Sequence, residues 1–91
     1  MSLRGYGNKR DIAEKDIVDF LRAKGCSVYR LDKPVDLLIG YRDRNILAEV
    51  KTADGKLTPS QIEFRDGWKG DPFWILRTIQ DATEMLEAFD G

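Results

Sequence analysis

The stretch from Val35 to Lys51 constrains the fold of this chain more than any other. Two apolar runs, Val35-Asp-Leu-Leu-Ile-Gly40 and Asn45-Ile-Leu-Ala-Glu-Val-Lys51, flank a polar turn, Tyr41-Arg-Asp-Arg44. Side chains alternate between the faces of a strand, so a hairpin closed at this turn buries a wholly apolar face only in one register. That register sets 40 opposite 45 and 36 opposite 49. Its apolar face is Leu37, Ile39, Ile46, Ala48 and Val50, and its reverse face carries Leu38 and Leu47 with Asp36, Glu49 and Lys51. The pairing that builds a core therefore also places two carboxylates across from each other, with Cβ atoms about 4.5–5.5 Å apart. Like charges at that spacing repel, and one carboxyl is pushed towards its neutral form unless a cation stands between them. An all-oxygen site of this kind suits Mg²⁺ or Mn²⁺ better than zinc.

The remaining elements read around this hairpin. Asn8 is placed to cap a helix running to about Lys24 and stopping at Gly25, with Ile17 and Leu21 on its inward stripe. Residues 1–7 carry two glycines and no periodicity, and are expected as a flexible arm ahead of a single domain, 8–91. Cys26 to Leu31 alternates as a strand, and Pro34 breaks it. Thr58-Pro-Ser-Gln61 opens a second helix with a capping box, Thr at the N-cap, Pro next and Gln at the third position. That helix is expected to end between Gly67 and Gly70. Phe73 to Arg77 is an apolar strand, and Asp81 to Phe89 a last short helix. The expected fold is α/β, in the order α-β-β-β-α-β-α. The helical crossover makes the fourth strand parallel to a neighbour in a mixed central sheet flanked by helices.

Composition removes several chemistries. The chain has no histidine and one cysteine, Cys26, so Ser-His-Asp and Cys-His catalysis, His-ligated zinc and an internal disulfide are excluded. No apolar run approaches the ~20 residues of a membrane span. No signal-peptide pattern is present, and a cytoplasmic protein is expected. Gly5 and Gly7 follow no strand and form no phosphate loop, so no nucleotide cofactor is expected. The formal net charge of −1 argues against a nucleic-acid partner until it is mapped. All 15 basic residues lie at or before Arg77, together with twelve of the 16 acids, leaving +3 on residues 1–77 and −4 on the rest. The acidic tail, with Asp81, Glu84, Glu87 and Asp90 lacking local partners, reads as a solvated helix.

Two helix residues point to the carboxylate pair. Glu14 lies on the stripe of Val18 and Leu21, and Gln61 on that of Phe64 and Trp68. An inward carboxylate or amide needs a partner, and the polar end of the sheet would supply one. Each also has an ordinary reading: Glu14 pairing with Arg10, Gln61 only capping its helix.

Asp36, followed after a hairpin by Glu49-Val50-Lys51, resembles the signature of PD-(D/E)XK nucleases, with Val35 standing between Pro34 and Asp36. Small size, Glu14 on the first helix and Gln61 after Leu57-Thr58-Pro59 are similar, more closely, to stand-alone, phage-type virus-type replication-repair nuclease (VRR-NUC) domains, over roughly residues 8–77. The resemblance implies a restriction-endonuclease-like core and a metal held by Asp36, Glu49 and the Val50 carbonyl. It implies that Lys51 acts beside that metal, that Glu14 serves a second ion or a water shell, and that Gln61 completes the catalytic set. The implied activity is Mg²⁺- or Mn²⁺-dependent DNA hydrolysis giving 5′-phosphate and 3′-hydroxyl ends, by a homodimer resolving four-way junctions.

DNA contacts need positive charge outside the acidic centre. Candidates are Arg4, Lys9, Arg10 and Lys15 at the first helix, Arg42 and Arg44 at the hairpin tip, and Lys56 before the second helix, with Tyr6 positioned to stack on a base. Trp68, Phe73 and Trp74 form an aromatic cluster. Phe73 and Trp74 face opposite sides of their strand, so part of this segment is expected in a homodimer interface. The rival readings are a flap or single-strand nuclease on the same site, a non-catalytic nuclease-fold module that binds DNA or assembles, and a small interaction protein. Sequence preference, the number of metal ions and the biological pathway leave no mark in the residues.

Overall fold

The hairpin register holds residue for residue, and the rest of the sheet grows from it. In the computed structural model, which describes the backbone of residues 5–90 and the side chains from Glu14 to Asp90, α1 spans Gly5–Ala23, β1 Ser27–Arg30, β2 Leu37–Tyr41, β3 Arg44–Val50, α2 Pro59–Gly67, β4 Trp74–Leu76 and α3 Ile79–Asp90. Strands β2 and β3 pair Gly40 with Asn45, Ile39 with Ile46 and Leu37 with Ala48, as the apolar alternation requires. The sheet order is β1-β2-β3-β4. The first three strands form an antiparallel meander, and β4 lies parallel to β3 after the α2 crossover.

The core lies on one side of this sheet. Leu37, Ile39, Ile46, Ala48 and Val50 are buried against Ile17, Val18 and Leu21 of α1 and Ala82, Met85 and Leu86 of α3. Helix α1 ends in a Schellman arrangement. The Cys26 N–H donates to the Leu21 carbonyl and the Gly25 N–H to that of Arg22, both at 3.0 Å, while Gly25 takes the left-handed φ of +94° that a side chain resists. Its start at Gly5 precedes the expected Asn8 cap. Among the described residues no helix is long and apolar enough to cross a membrane.

Two expectations change. The hairpin tip is not a four-residue loop: Tyr41 pairs with Arg44, and only Arg42 and Asp43 turn, with φ of +52° and +63°. Both-positive φ is the pattern of the tight type I′ turn, whose twist matches the strands it joins. The final helix is also not a freely solvated acidic one. It starts at Ile79 rather than Asp81, because Thr78 caps it: the Asp81 N–H donates to Thr78 Oγ1 at 3.0 Å and the Asp81 carboxylate accepts from the Arg77 N–H at 2.8 Å. Three of its apolar residues enter the core. Asp90 accepts from the Tyr41 hydroxyl at 2.7 Å and pairs with Arg42 at 3.2 Å, tying the end of α3 to the hairpin tip.

The reverse face of the sheet is covered differently. Helix α2 buries none of its residues completely. It borders a groove of about 550 Å³ lined by Leu38, Leu47, Phe64, Trp68 and Trp74, among others. Phe64 links Trp68 and Phe73, with ring centroids 5.0 and 6.0 Å away, whereas Trp74 turns towards Phe89 at 6.1 Å. The aromatic cluster is thus two groups, one on α2 and one against α3. Trp68 stays half exposed.

Candidate active site

Extending the β2–β3 register one pair beyond Leu37 and Ala48 brings Asp36 opposite Glu49, where side chains take over from the backbone ladder. The Asp36 N–H donates to Glu49 Oε1 at 3.0 Å, and the Val50 N–H donates to Asp36 Oδ2 at 2.9 Å. Each carboxylate is therefore fixed by an amide of the other's strand segment. Hydrogen bonds from amides to ionised oxygens are among the stronger ones in proteins, and here they hold the pair at a set separation. On the other side the Leu31 N–H donates to the Asp36 carbonyl at 2.6 Å, which anchors the chain entering the site.

Lys51 completes the group. Its N–H donates to the Leu76 carbonyl at 3.1 Å, continuing the parallel β3–β4 pairing. Its Nζ lies 3.2 Å from Glu49 Oε2. Glu49 is fully buried and Lys51 only 9 % exposed. A buried charge persists when paired and hydrogen-bonded. The repulsion expected between the opposed carboxylates is thus met by two backbone donors and an ammonium.

The other sequence candidates stand further out. Glu14, 17 % exposed at its side chain, lies 3.6 Å from Arg30. Arg30 pairs with Leu37, so Glu14 reaches the Asp36 end of the sheet through that arginine. Among the described residues no three acidic or thiol side chains gather closely enough to enclose a metal ion. Gln61 does close the capping box: its Oε1 accepts from the Thr58 N–H at 3.0 Å and its own N–H donates to Thr58 Oγ1 at 3.2 Å. It also lines, with Asp32, Lys33, Pro34, Thr58 and Ser60, a hollow of about 340 Å³ between the chain entering Asp36 and the start of α2.

The basic candidates divide as well. The side chains of Lys9 and Arg10, and Arg4 and Tyr6 with them, lie outside the described residues. Lys15 is exposed and bonded to Asp19 at 2.7 Å, which raises the lysine's pKa and lowers that of the aspartate. Arg42 is engaged by Tyr41 and Asp90, and its hydrogen bond to the Tyr41 oxygen and the charge of Asp90 hold it protonated more firmly still. Arg44 stands over the Phe89 ring at 5.0 Å, with Asp71 at 3.9 Å. Lys56 is exposed. Sequence reasoning missed two residues near the site. Tyr29, 74 % exposed, pairs with Leu38 and so shares the face of Asp36. Arg77, read only as the end of a strand, reaches the loop that follows Lys51.

No protein-family model, curated protein or solved structure matches this chain.

Proposed function

We propose that this protein is a divalent-metal-dependent DNA endonuclease acting on branched DNA as a homodimer. The observation that carries the reading is the reciprocal tie between Asp36 and Glu49, with Lys51 against the glutamate. Its setting is compatible with the restriction-endonuclease-like core that the resemblance implies: the chain runs α-β-β-β-α-β-α with β4 parallel to β3 in a mixed sheet.

The donor set fits a hard cation. Asp36, Glu49 and the Val50 carbonyl offer only oxygen, and Mg²⁺ commonly uses one or two carboxylates and keeps several waters. Bound there, the ion would polarise the scissile phosphate and acidify a water. The chain's own residues do the rest. The amide bonds to Asp36 and Glu49 pre-set the carboxylates, so little reorganisation is needed when substrate arrives. Lys51, steered by Glu49, orients the attacking water and offsets the charge growing on the phosphate. Water adds at phosphorus, the bond to O3′ breaks, and the products are a 5′-phosphate and a 3′-hydroxyl. Glu14, through Arg30, shapes the α1 side of the site. Gln61 fixes the start of α2 beside the approach to Asp36. Lys33 and Lys56 supply exposed charge for phosphates, and the Tyr29 ring supplies a stacking surface. The groove with Trp68 at its rim is the face proposed for the second copy.

The test is a cleavage panel of four-way junction, flap, single strand and duplex with Mg²⁺ or Mn²⁺. Junction cutting that disappears in Glu49→Gln and Lys51→Met supports the reading. Equal cutting by these variants refutes it. Preference for a flap or single strand keeps the site and replaces the substrate. Metal-independent DNA binding without cutting favours a non-catalytic module. A monomer by light scattering at micromolar concentration removes the two-fold junction geometry.

A further inference from the structure

The chain leaving Lys51 folds straight back over it. The Gly55 N–H donates to the Thr52 carbonyl at 3.0 Å, closing a turn over residues 52–55. The turn sits so close that a Cβ on Gly55 would lie 3.1 Å from Thr52 Oγ1, 3.3 Å from the Thr52 nitrogen and 3.4 Å from Cδ of Lys51. Glycine is used here for close approach, and the turn forms a wall along the lysine's aliphatic stem.

One side chain holds that wall. Nη1 of Arg77 lies 2.6 Å from the Thr52 carbonyl oxygen and 2.7 Å from that of Gly55, with the Ala53 carbonyl at 3.3 Å. Three carbonyls converging on one guanidinium nitrogen make a clamp that a single hydrogen bond would not. Arg77 is itself fixed: its N–H donates to the Asp81 carboxylate at 2.8 Å, and the residue before it, Leu76, accepts from the Lys51 N–H. Consecutive residues 76 and 77 thus grip the backbone of Lys51 and the turn that covers its side chain.

We infer that Arg77 is the positioning residue of the lysine site, holding the 52–55 turn against Lys51 and so directing its ammonium to Glu49. The placement stands on these contacts alone, and only its consequence for turnover rests on the nuclease reading. Arg77 touches no reacting atom in this scheme. Arg77→Ala frees the turn, and Arg77→Lys restores it in part, because the ammonium can meet several carbonyls but ends one atom short of the reach of Nη1.

The experiment acetylates the full chain briefly and follows each lysine by peptide mass. In the wild-type protein Lys51 is expected to react about tenfold more slowly than exposed Lys56, because reaction needs local opening of the turn. In Arg77→Ala it should approach the rate of Lys56, with Arg77→Lys between. Tyr41→Phe, which removes the Tyr41–Asp90 bond at the other end of the sheet, controls for general loosening and should leave Lys51 slow. If Arg77→Ala does not fold, Arg77→Lys and Gly55→Ala, whose methyl presses on the same turn, carry the test. Cleavage kinetics add that Arg77→Ala lowers kcat with KM unchanged. Unchanged Lys51 labelling in these variants overturns the inference, and a rise in KM with kcat kept makes Arg77 a DNA contact instead. If the wild-type protein cuts no DNA, the nuclease reading fails while the labelling still decides the role of Arg77.

Discussion

Replacing Lys51 by methionine removes the cation 3.2 Å from Glu49 Oε2 and leaves the fully buried carboxylate in place. Deleting one member of a buried ion pair costs about 3–5 kcal/mol, whereas replacing the whole pair with well-packed apolar groups of similar volume is often neutral or stabilising. A chain of 91 residues has about 5–14 kcal/mol of stability in total. Lys51→Met therefore removes a third or more of it at typical values, and at about 4 °C or more per kcal/mol lowers Tm by at least about 12 °C. Adding Glu49→Gln keeps an amide oxygen for the Asp36 N–H and takes away the charge. The double variant should recover part of that loss, ending about 1–3 kcal/mol below wild type, because the glutamine NH2 takes the place of Oε2 and faces a methionine that offers it no strong acceptor. Urea denaturation followed by circular dichroism measures both. A double variant as unstable as Lys51→Met, or a single variant losing under about 1 kcal/mol, refutes the reasoning, since either means that Glu49 does not depend on Lys51. Both variants should be inactive on DNA, so a double variant that recovers stability and stays silent would show charges kept for chemistry.

Three further outcomes follow from the geometry. Mg²⁺ at about 100 times its Kd should stabilise the wild-type protein by about 2.7 kcal/mol and Asp36→Asn hardly at all, although asparagine still accepts from the Val50 N–H; equal melting shifts would rule out Asp36 as a ligand. Burial pushes the Cys26 thiol above its usual range. Folding favours its neutral form, so this contribution is complete below the unfolded thiol's pKa and is lost as pH rises through the raised value. At pH 8 a disulfide reagent should modify the folded protein slowly and the urea-unfolded chain at once, and equal rates would contradict the burial. Thr58→Ala and Gln61→Ala should each lower stability by about 1 kcal/mol, and the double variant by less than the sum, because the two bonds are halves of one cap; strict additivity in thermal melts would show that they act separately.

The β2–β3 register was legible because period-two alternation leaves one way to bury Leu37, Ile39, Ile46, Ala48 and Val50. The same logic placed Asp36 against Glu49, and the Thr58–Gln61 capping box marked the crossover that makes β4 parallel. The tip was harder to read, because polarity marks a turn and says nothing of where pairing stops: Tyr41 and Arg44 are polar enough for a loop and still pair. The start of α3 carried a signal that went unread, Thr78 followed three residues later by Asp81. The neutralised tip arginines were not readable at all. Asp90 meets Arg42 only because Met85 and Leu86 fix how α3 lies on the sheet, which is a matter of packing and not of local pattern. Arg77 is the same case, a lone arginine after an apolar strand whose partners are carbonyls some 22–25 residues earlier.

The two-residue tip at Arg42 and Asp43 has a consequence for how this chain tolerates changes in length. A residue added there without a compensating bulge would turn β3 over relative to β2. Ala48 and Val50 would then leave the face packed against α1 and α3, and Glu49 and Lys51 would be turned onto it. Insertions between Lys56 and Thr58, or between Gly67 and Phe73, would lengthen connections without moving any strand or the 52–55 turn. The tip therefore acts as a reading frame shared by the fold and the carboxylate pair, so that a slip which spoils one spoils the other.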